Sequence, residues 1–155
     1  MGDLSPGKDH VGVSTPFYCV NKKGEILFQL RGEKTRDESG RWDPGSGELE
    51  KGLTLKENVK KEVKEELNAE CEIIDRLPSH GIFREHEGRE THWVVAPFFV
   101  KVDPGDVEIN EPEKIEKLKW ASLGGFPQPL HTGFRETFER YREEFEEVVE
   151  EVKHR

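Results

Sequence analysis

Two periodicities divide the chain. Apolar residues alternate with polar ones, or gather in short β-branched and aromatic runs, at 10–20, 25–31 and 70–77. These stretches predict strands. The turn 21–24 (Asn-Lys-Lys-Gly) makes a hairpin of the first two. A strand continues over 81–85, Glu87-Gly88-Arg89 turns the chain, and THWVVAPFFVKV (91–102) predicts one strong strand. A short strand follows at 118–121. Two other stretches repeat every three or four residues. Leu55, Val59, Val63 and Leu67 lie four apart on a predicted helix over 54–67. Thr54 is its N-cap, and Glu57 three residues later completes a capping box. Phe134, Phe138, Tyr141, Phe145, Val148 and Val152 form a continuous seam, which predicts one amphipathic C-terminal helix over 132–155. That helix is expected to pack on the sheet, although its seam also suits a partner helix.

The polar, Gly- and Pro-containing stretches 1–9, 32–41, 103–117 and 122–133 predict loops, with 1–9 a flexible tail. Strands, a helix, strands and a helix, without repeat or boundary, predict a single domain over 10–155. Its sheet would be mixed and would carry helices.

Composition narrows the function classes. Of 155 residues, 32% are hydrophobic and 37% charged, but the apolar ones cluster, so a folded domain is expected. A net charge of -9 disfavours binding duplex nucleic acid through its phosphates. A small polyphosphate remains an available ligand where divalent cations bridge the two. Cys19 and Cys71 are isolated in apolar contexts and read as reduced packing residues. No apolar leader or membrane-length run is visible, so no membrane partner and a cytoplasmic location are expected.

The chemistry concentrates in PGSGELEKGLTLKENVKKEVKEELNA, which begins at Pro44. Glu62, Glu65 and Glu66 are three and four apart on the predicted helix, so their carboxylates are neighbours that repel. A hard divalent cation such as Mg2+ suits such a cluster and offsets the repulsion. The glycine-rich turn before the helix lets backbone approach a phosphate or metal, because glycine has no Cβ.

At this spacing the stretch resembles the box of the Nudix hydrolase family: Gly, five residues, Glu, seven residues, then Arg-Glu-apolar-x-Glu-Glu-x-Gly-apolar. Gly47, Glu62, Val63, Glu65, Glu66 and Ala69 fit it. Leu53 stands where the family has Glu, Lys61 replaces Arg, and Asn68 replaces Gly. Asn tolerates a left-handed helix end, and Lys61 keeps the charge without the bidentate fork of Arg. Leu53 removes a carboxylate. The strands around the box, Trp42 ahead of it and Glu111-Pro112-Glu113…Trp120 after it are also similar, the last to the nucleoside-triphosphate pyrophosphatase branch.

The resemblance implies an α/β (α+β) fold, an α/β/α sandwich with a mixed β-sheet between helices. It implies Mg2+-dependent hydrolysis, with Mn2+ a substitute, of a pyrophosphate bond in a nucleoside diphosphate linked to another group. Glu62, Glu65 and Glu66 are then the catalytic and metal-holding carboxylates, joined by a backbone carbonyl near Ser46 or Gly47. Arg31, Trp42, Phe83 and Glu111 are the substrate-side candidates, Phe83 as a base-stacking ring beside Trp120 and Phe126. The general base is Glu65, Glu66 or a carboxylate outside the box: Glu85, Glu87, Glu111 or Glu113. Trp93, Phe98 and Phe99 are expected in the core, and His80, His86, His92 and His131 at the surface or substrate rim. A homodimer fits the resemblance. The competing expectation is a weak or inactive Nudix-like domain that binds a nucleotide or a protein, suggested by Leu53 and Lys61.

Overall fold

A computed structural model describes residues 4–155 apart from Arg36 and the side chain of His86. The strands are β1 (Gly12–Val20), β2 (Ile26–Arg31), β3 (Trp42–Asp43), β4 (Ser46–Glu48), β5 (Glu72–Arg76), β6 (His80–His86), β7 (Arg89–Val95), β8 (Phe98–Lys101) and β9 (Ile115–Ala121). The helices are α1 (Leu55–Leu67), α2 (Thr132–Arg140) and α3 (Arg142–Lys153). The fold is mixed α+β, with one mixed sheet between helical layers.

β1 is the centre of the sheet. It pairs antiparallel with β2 and β4, and parallel with β7 and β8. The two-residue period of a strand sends its side chains alternately into two cores. Phe17 and Cys19 enter one core with Leu27, Phe98, Val100 and the α1 stripe Val59, Val63 and Leu67. Tyr18 and Val20 enter the other with Ile26, Phe28, Phe99 and the α2 and α3 residues Phe134, Phe138, Phe145, Val148, Val149 and Val152.

The predicted strand 91–102 is two strands, because Pro97 has no N–H to give to a ladder. The register survives the break: Ser14 faces Val95 and Phe17 faces Phe98. β7 therefore continues with β6 in one half of the sheet, while β8 pairs with β5 in the other. β9 begins at Ile115, earlier than the apolar pattern suggested, and runs along β2 to Ala121. Its exposed Lys and Glu positions hide the strand from hydropathy.

The C-terminal segment is also divided, at Tyr141 (φ -119, ψ 30). The ring centroids of Phe134 and Phe145 are 5.9 Å apart. Eleven residues of straight helix would separate them by about 16 Å along the axis. Both helices reach one core only if the chain turns between them. A spacing of three and four runs straight through such a break, so the sequence does not reveal it.

The predicted tail falls partly outside the described residues, at 1–3. The described part is docked on β7 at Gly7 and Lys8: Gly7 O accepts from His92 N at 2.8 Å, and Arg89 donates to Lys8 O at 3.2 Å. Among the described residues no helix is long and apolar enough to cross a membrane. Cys19 and Cys71 are free thiols in the α1 core, and burial pushes Cys71 up to about 11.

Phe145 is fully buried and meets Tyr18, Phe99, Phe134 and Phe138. Phe145→Ala should cost about 3–5 kcal/mol of unfolding free energy in urea melts. A loss below roughly 1 kcal/mol would show that the junction of α2 and α3 does not rest on this ring.

Candidate active site

The capping box of α1 forms as the sequence predicts. Thr54 Oγ1 accepts from Glu57 N at 3.2 Å, and Glu57 Oε1 accepts from Thr54 N at 2.9 Å. The helix ends on Asn68 in the left-handed region (φ 53), whose N–H reaches Lys64 O. The last carbonyls of α1 are then bonded by the loop after β8. Glu108 N donates to Leu67 O, Asn110 N to Glu66 O, and Asn110 Nδ2 to Glu65 O, at 3.0, 3.1 and 2.9 Å. This clamp fixes the loop that carries Glu111 against the end of α1 that carries the carboxylates.

The other side of α1 is fixed by Asn58, which is fully buried. Its Nδ2 donates to Thr15 Oγ1 at 2.9 Å and to Glu48 O at 3.3 Å, and its Oδ1 accepts from Glu50 N at 3.0 Å. One amide thus ties helix, glycine-rich loop and central strand together. The approach is close: a Cβ on Gly47 would overlap the Glu62 side chain. Glycine at 47 is what lets the Glu62 carboxyl lie against β4.

These contacts leave a cavity of about 470 Å³. Ser46, Gly47, Glu48, Glu62, Glu65, Glu66 and Glu111 line one end. Tyr18, Ile82, Trp93, Val95 and Phe134 line another, with Arg31, Asp43, Arg84, Lys114 and His131 also on its walls. The acid end is electrostatically crowded. Burial, then the charges of Glu62, Asp43 and Glu111, push Glu66 well above the usual carboxylate range, against a hydrogen bond from Gln29. Its Oε2 is buried with no partner among the described residues. Burial also raises Glu62, while Lys61 pulls it down.

Opposite lies a network of paired charges. Arg31 meets Asp37 at 2.9 Å and Asp43 at 3.3 Å. Arg84 pairs with Glu38 and, at 3.4 Å, with Asp37. Glu38 takes a positive φ of 49 and also accepts from Thr132 N and Oγ1, both at 2.9 Å. His131 caps α2 with Nδ1, which accepts from Gly133 N and Phe134 N at 3.1 and 3.4 Å. Nδ1 is therefore unprotonated, and Nε2–H donates to Glu38 Oε2 at 3.1 Å. Burial, with Arg84 and Arg31, holds His131 below its ordinary value despite Asp43 and Asp37. Asp37, Glu38 and His131 converge in the manner of a metal site, but Arg84 already supplies the cation there.

Of the residues singled out in the sequence, Glu62, Glu65, Glu66, Ser46, Gly47, Arg31 and Glu111 come together on this cavity. Trp42 and Phe83 do not line it. Trp42 packs against the α2–α3 core. Phe83 alternates with Ile82 and Arg84, which face the cavity, so its ring lies on the opposite side of the sheet and stacks on His92 at 4.3 Å. Trp120 and Phe126 belong to the two cores. Leu53 is not on the cavity wall, and among the acids outside the box Glu85, Glu87 and Glu113 are not either. The reading of Trp93 as a core residue changes: its ring lines the cavity, backed by Gly7 and Gly12, where a Cβ would collide with it. Gln29, Asp43, Arg84 and His131 carried no local spacing signal, because the topology alone gathers them.

The family model described as the NUDIX domain matches residues 10–141. The chain therefore belongs to the Nudix family. Within it, the chain is a MutT-like Nudix hydrolase, a pyrophosphohydrolase. A MutT Nudix hydrolase from Burkholderia pseudomallei is 27% identical, with a TM-score of 0.73 over 84% of this chain and 97% of that one. A MutT protein from Methanosarcina mazei Go1 is also 27% identical, with a TM-score of 0.70 over 86% of this chain and 94% of that one. A UDP-X diphosphatase shares the fold at 18% identity and a TM-score of 0.62, over 99% of this chain and 67% of that one. No curated protein matches the sequence.

The crowding has a direct consequence for stability. The folded chain keeps the Glu66 proton to a higher pH than the unfolded chain does. Stability is full in acid and falls as pH rises past the ordinary carboxylate value of 4.5. In chelator, Glu66→Gln should therefore stabilise the chain at pH 8 by about 1–2 kcal/mol, raising the melting point by roughly 2–8 °C, with a smaller gain at pH 5. Equal melting curves at pH 8 would mean that the carboxylate is solvated.

Proposed function

We propose that this hydrolase cleaves a pyrophosphate bond in a nucleoside triphosphate or related nucleoside diphosphate derivative, with Mg2+ held by Glu62, Glu65 and Glu66. The observation that carries the reading is the buried, unpartnered Glu66 Oε2 at the acid end of the cavity. A buried carboxylate oxygen without a partner is costly, and a divalent cation is the partner this donor set fits. The donors are all oxygen, the carboxylates neighbour one another, and Gly47 leaves the backbone of β4 open beside Glu62. The carbonyl at Ser46 or Gly47 would be the further oxygen ligand. When bound, Mg2+ supplies charge neutralisation of the pyrophosphate and activation of water.

The chain's own residues supply the rest. Glu111 stands outside the box, lines the cavity, and lies near enough for its charge to raise both Glu62 and Glu66. It takes the proton of the attacking water at its carboxylate. Lys114 lies on the same wall and offers an ammonium to the phosphates. Trp93 presents an aromatic surface to the base, bordered by Ile82, Val95 and Phe134. Arg31 orders the phosphate side through Asp43 while remaining on the wall. The placement of Leu53 away from the cavity wall favours a working site over a binding-only domain.

A panel of nucleoside triphosphates, nucleoside diphosphate sugars and dinucleoside polyphosphates, incubated with Mg2+ or Mn2+, tests the reading by phosphate and pyrophosphate release. At least one class should turn over. On that substrate Glu111→Gln should lower kcat by about 10²–10⁴ and remove the acidic limb of the pH profile, where protonation of the base shuts the reaction off. Absence of turnover across the panel refutes the reading. An unchanged pH profile in Glu111→Gln refutes the base.

A further inference from the structure

Lys61 holds an unusual position in the acid cluster. Its ammonium is 2.8 Å from Glu65, 3.4 Å from Glu62 and 3.2 Å from Glu50. Glu62 and Glu65 are two of the three carboxylates offered to the divalent cation. In this arrangement a side-chain cation already leans on them. Two cations cannot share those oxygens without mutual repulsion, so the ammonium has to move as the metal arrives. Glu50 is the third carboxylate within its reach and is not on the cavity wall.

Glu50 is also held where it can receive that ammonium. Its N–H donates to Asn58 Oδ1, and Asn58 is fully buried and bonded to Thr15 and Glu48. A turn from Glu50 O to Leu53 N at 3.2 Å fixes the next residues. The Leu53 side chain, at the family's carboxylate position, is away from the cavity. Among the described residues the other two ion pairs of Lys61 are those to Glu62 and Glu65, so without Glu50 its ammonium would stay on those carboxylates.

We propose that Glu50 is a positioning residue that draws Lys61 away from Glu62 and Glu65, freeing those carboxylates for the divalent cation. The position three residues before Leu53 thereby supplies the carboxylate that Leu53 does not. A lysine suits this exchange better than an arginine would, because an ammonium on a flexible stem moves between partners without losing a bidentate fork. The proposal rests on the reading of Glu62, Glu65 and Glu66 as metal-holding residues.

The experiment is a double-mutant cycle read by Mn2+ binding to the full, substrate-free chain, using electron paramagnetic resonance, with melting curves and kcat and KM beside it. Glu50→Gln should weaken Mn2+ by roughly three- to tenfold, the scale of a networked, half-exposed ion pair, with the melting point in chelator unchanged. In Glu50→Gln with Lys61→Met the competing ammonium is gone, and affinity should return to the native value or exceed it. Rescue of this sign separates charge exchange from a merely structural loop role, which a second substitution would not repair. Glu50→Asp should retain most of the affinity. Native Mn2+ binding in Glu50→Gln overturns the proposal and leaves the metal reading standing. A double variant weaker than Glu50→Gln also overturns it. No Mn2+ binding by the native chain, with Glu66→Gln no different, overturns both.

Discussion

The structure depends on bringing several carboxylates into a half-enclosed space without letting their repulsion open it. Burial and the neighbouring acids raise the proton affinity of Glu62 and Glu66, so as bare carboxylates these two work against the fold. Interactions of ordinary strength hold them there. The α1 stripe is sealed in the core by Val59, Val63 and Leu67. Buried Asn58 fixes the loop, and the clamp from Glu108 and Asn110 fixes the helix end. Each of these contacts lies outside the cavity, so the helix backbone stays fixed whatever the protonation state of its acids.

The opposite wall resolves its charges by a different rule. Arg31, Arg84, Asp37, Glu38 and His131 neutralise one another before any ligand enters. Charge pairs in low dielectric contribute little net stability, but they are costly to break singly, so such a network specifies geometry more than it adds free energy. Here the geometry specified is that of the 32–41 loop, whose Glu38 is joined to the N-terminus of α2 through Thr132 and His131. That loop, read from sequence only as charged and glycine-containing, is tied down at its two acids. One wall is thus charge-balanced and the other carries excess negative charge. The imbalance gives the cavity an orientation, with the excess negative charge at the α1 end and apolar and aromatic surface toward Trp93.

What the sequence disclosed follows from how local each signal is. The α1 helix, its capping box and its carboxylates occupy one continuous stretch, and the structure has them at the same residues. Strands β1, β2, β5 and β6 were visible through apolar alternation. The break at Pro97 and the turn at Tyr141 were not read, because periodicity persists across both. Arg84 and Asp43 were invisible as site residues for another reason, and His131, expected at the surface or substrate rim, gave no sign of its partners. They come from β6, β3 and the start of α2, and only the sheet order brings them to one wall.

The sharpest case is the exchange of Phe83 for Trp93. Both are aromatic residues on strands, and hydropathy favours neither. Their places follow from the register of β6 on β7, where Ile82 faces Trp93 and Phe83 faces His92. Paired residues share a face, and Ile82 faces the cavity, so Trp93 must face it too and Phe83 cannot. The partner strand carries the constraint further, because Gly12 lies opposite Trp93 on β1 and leaves room for the indole. A side chain there would push the ring toward the cavity. The aromatic that lines the cavity is thus chosen by two pairings and one absent Cβ, each of which is fixed by residues far away in the chain.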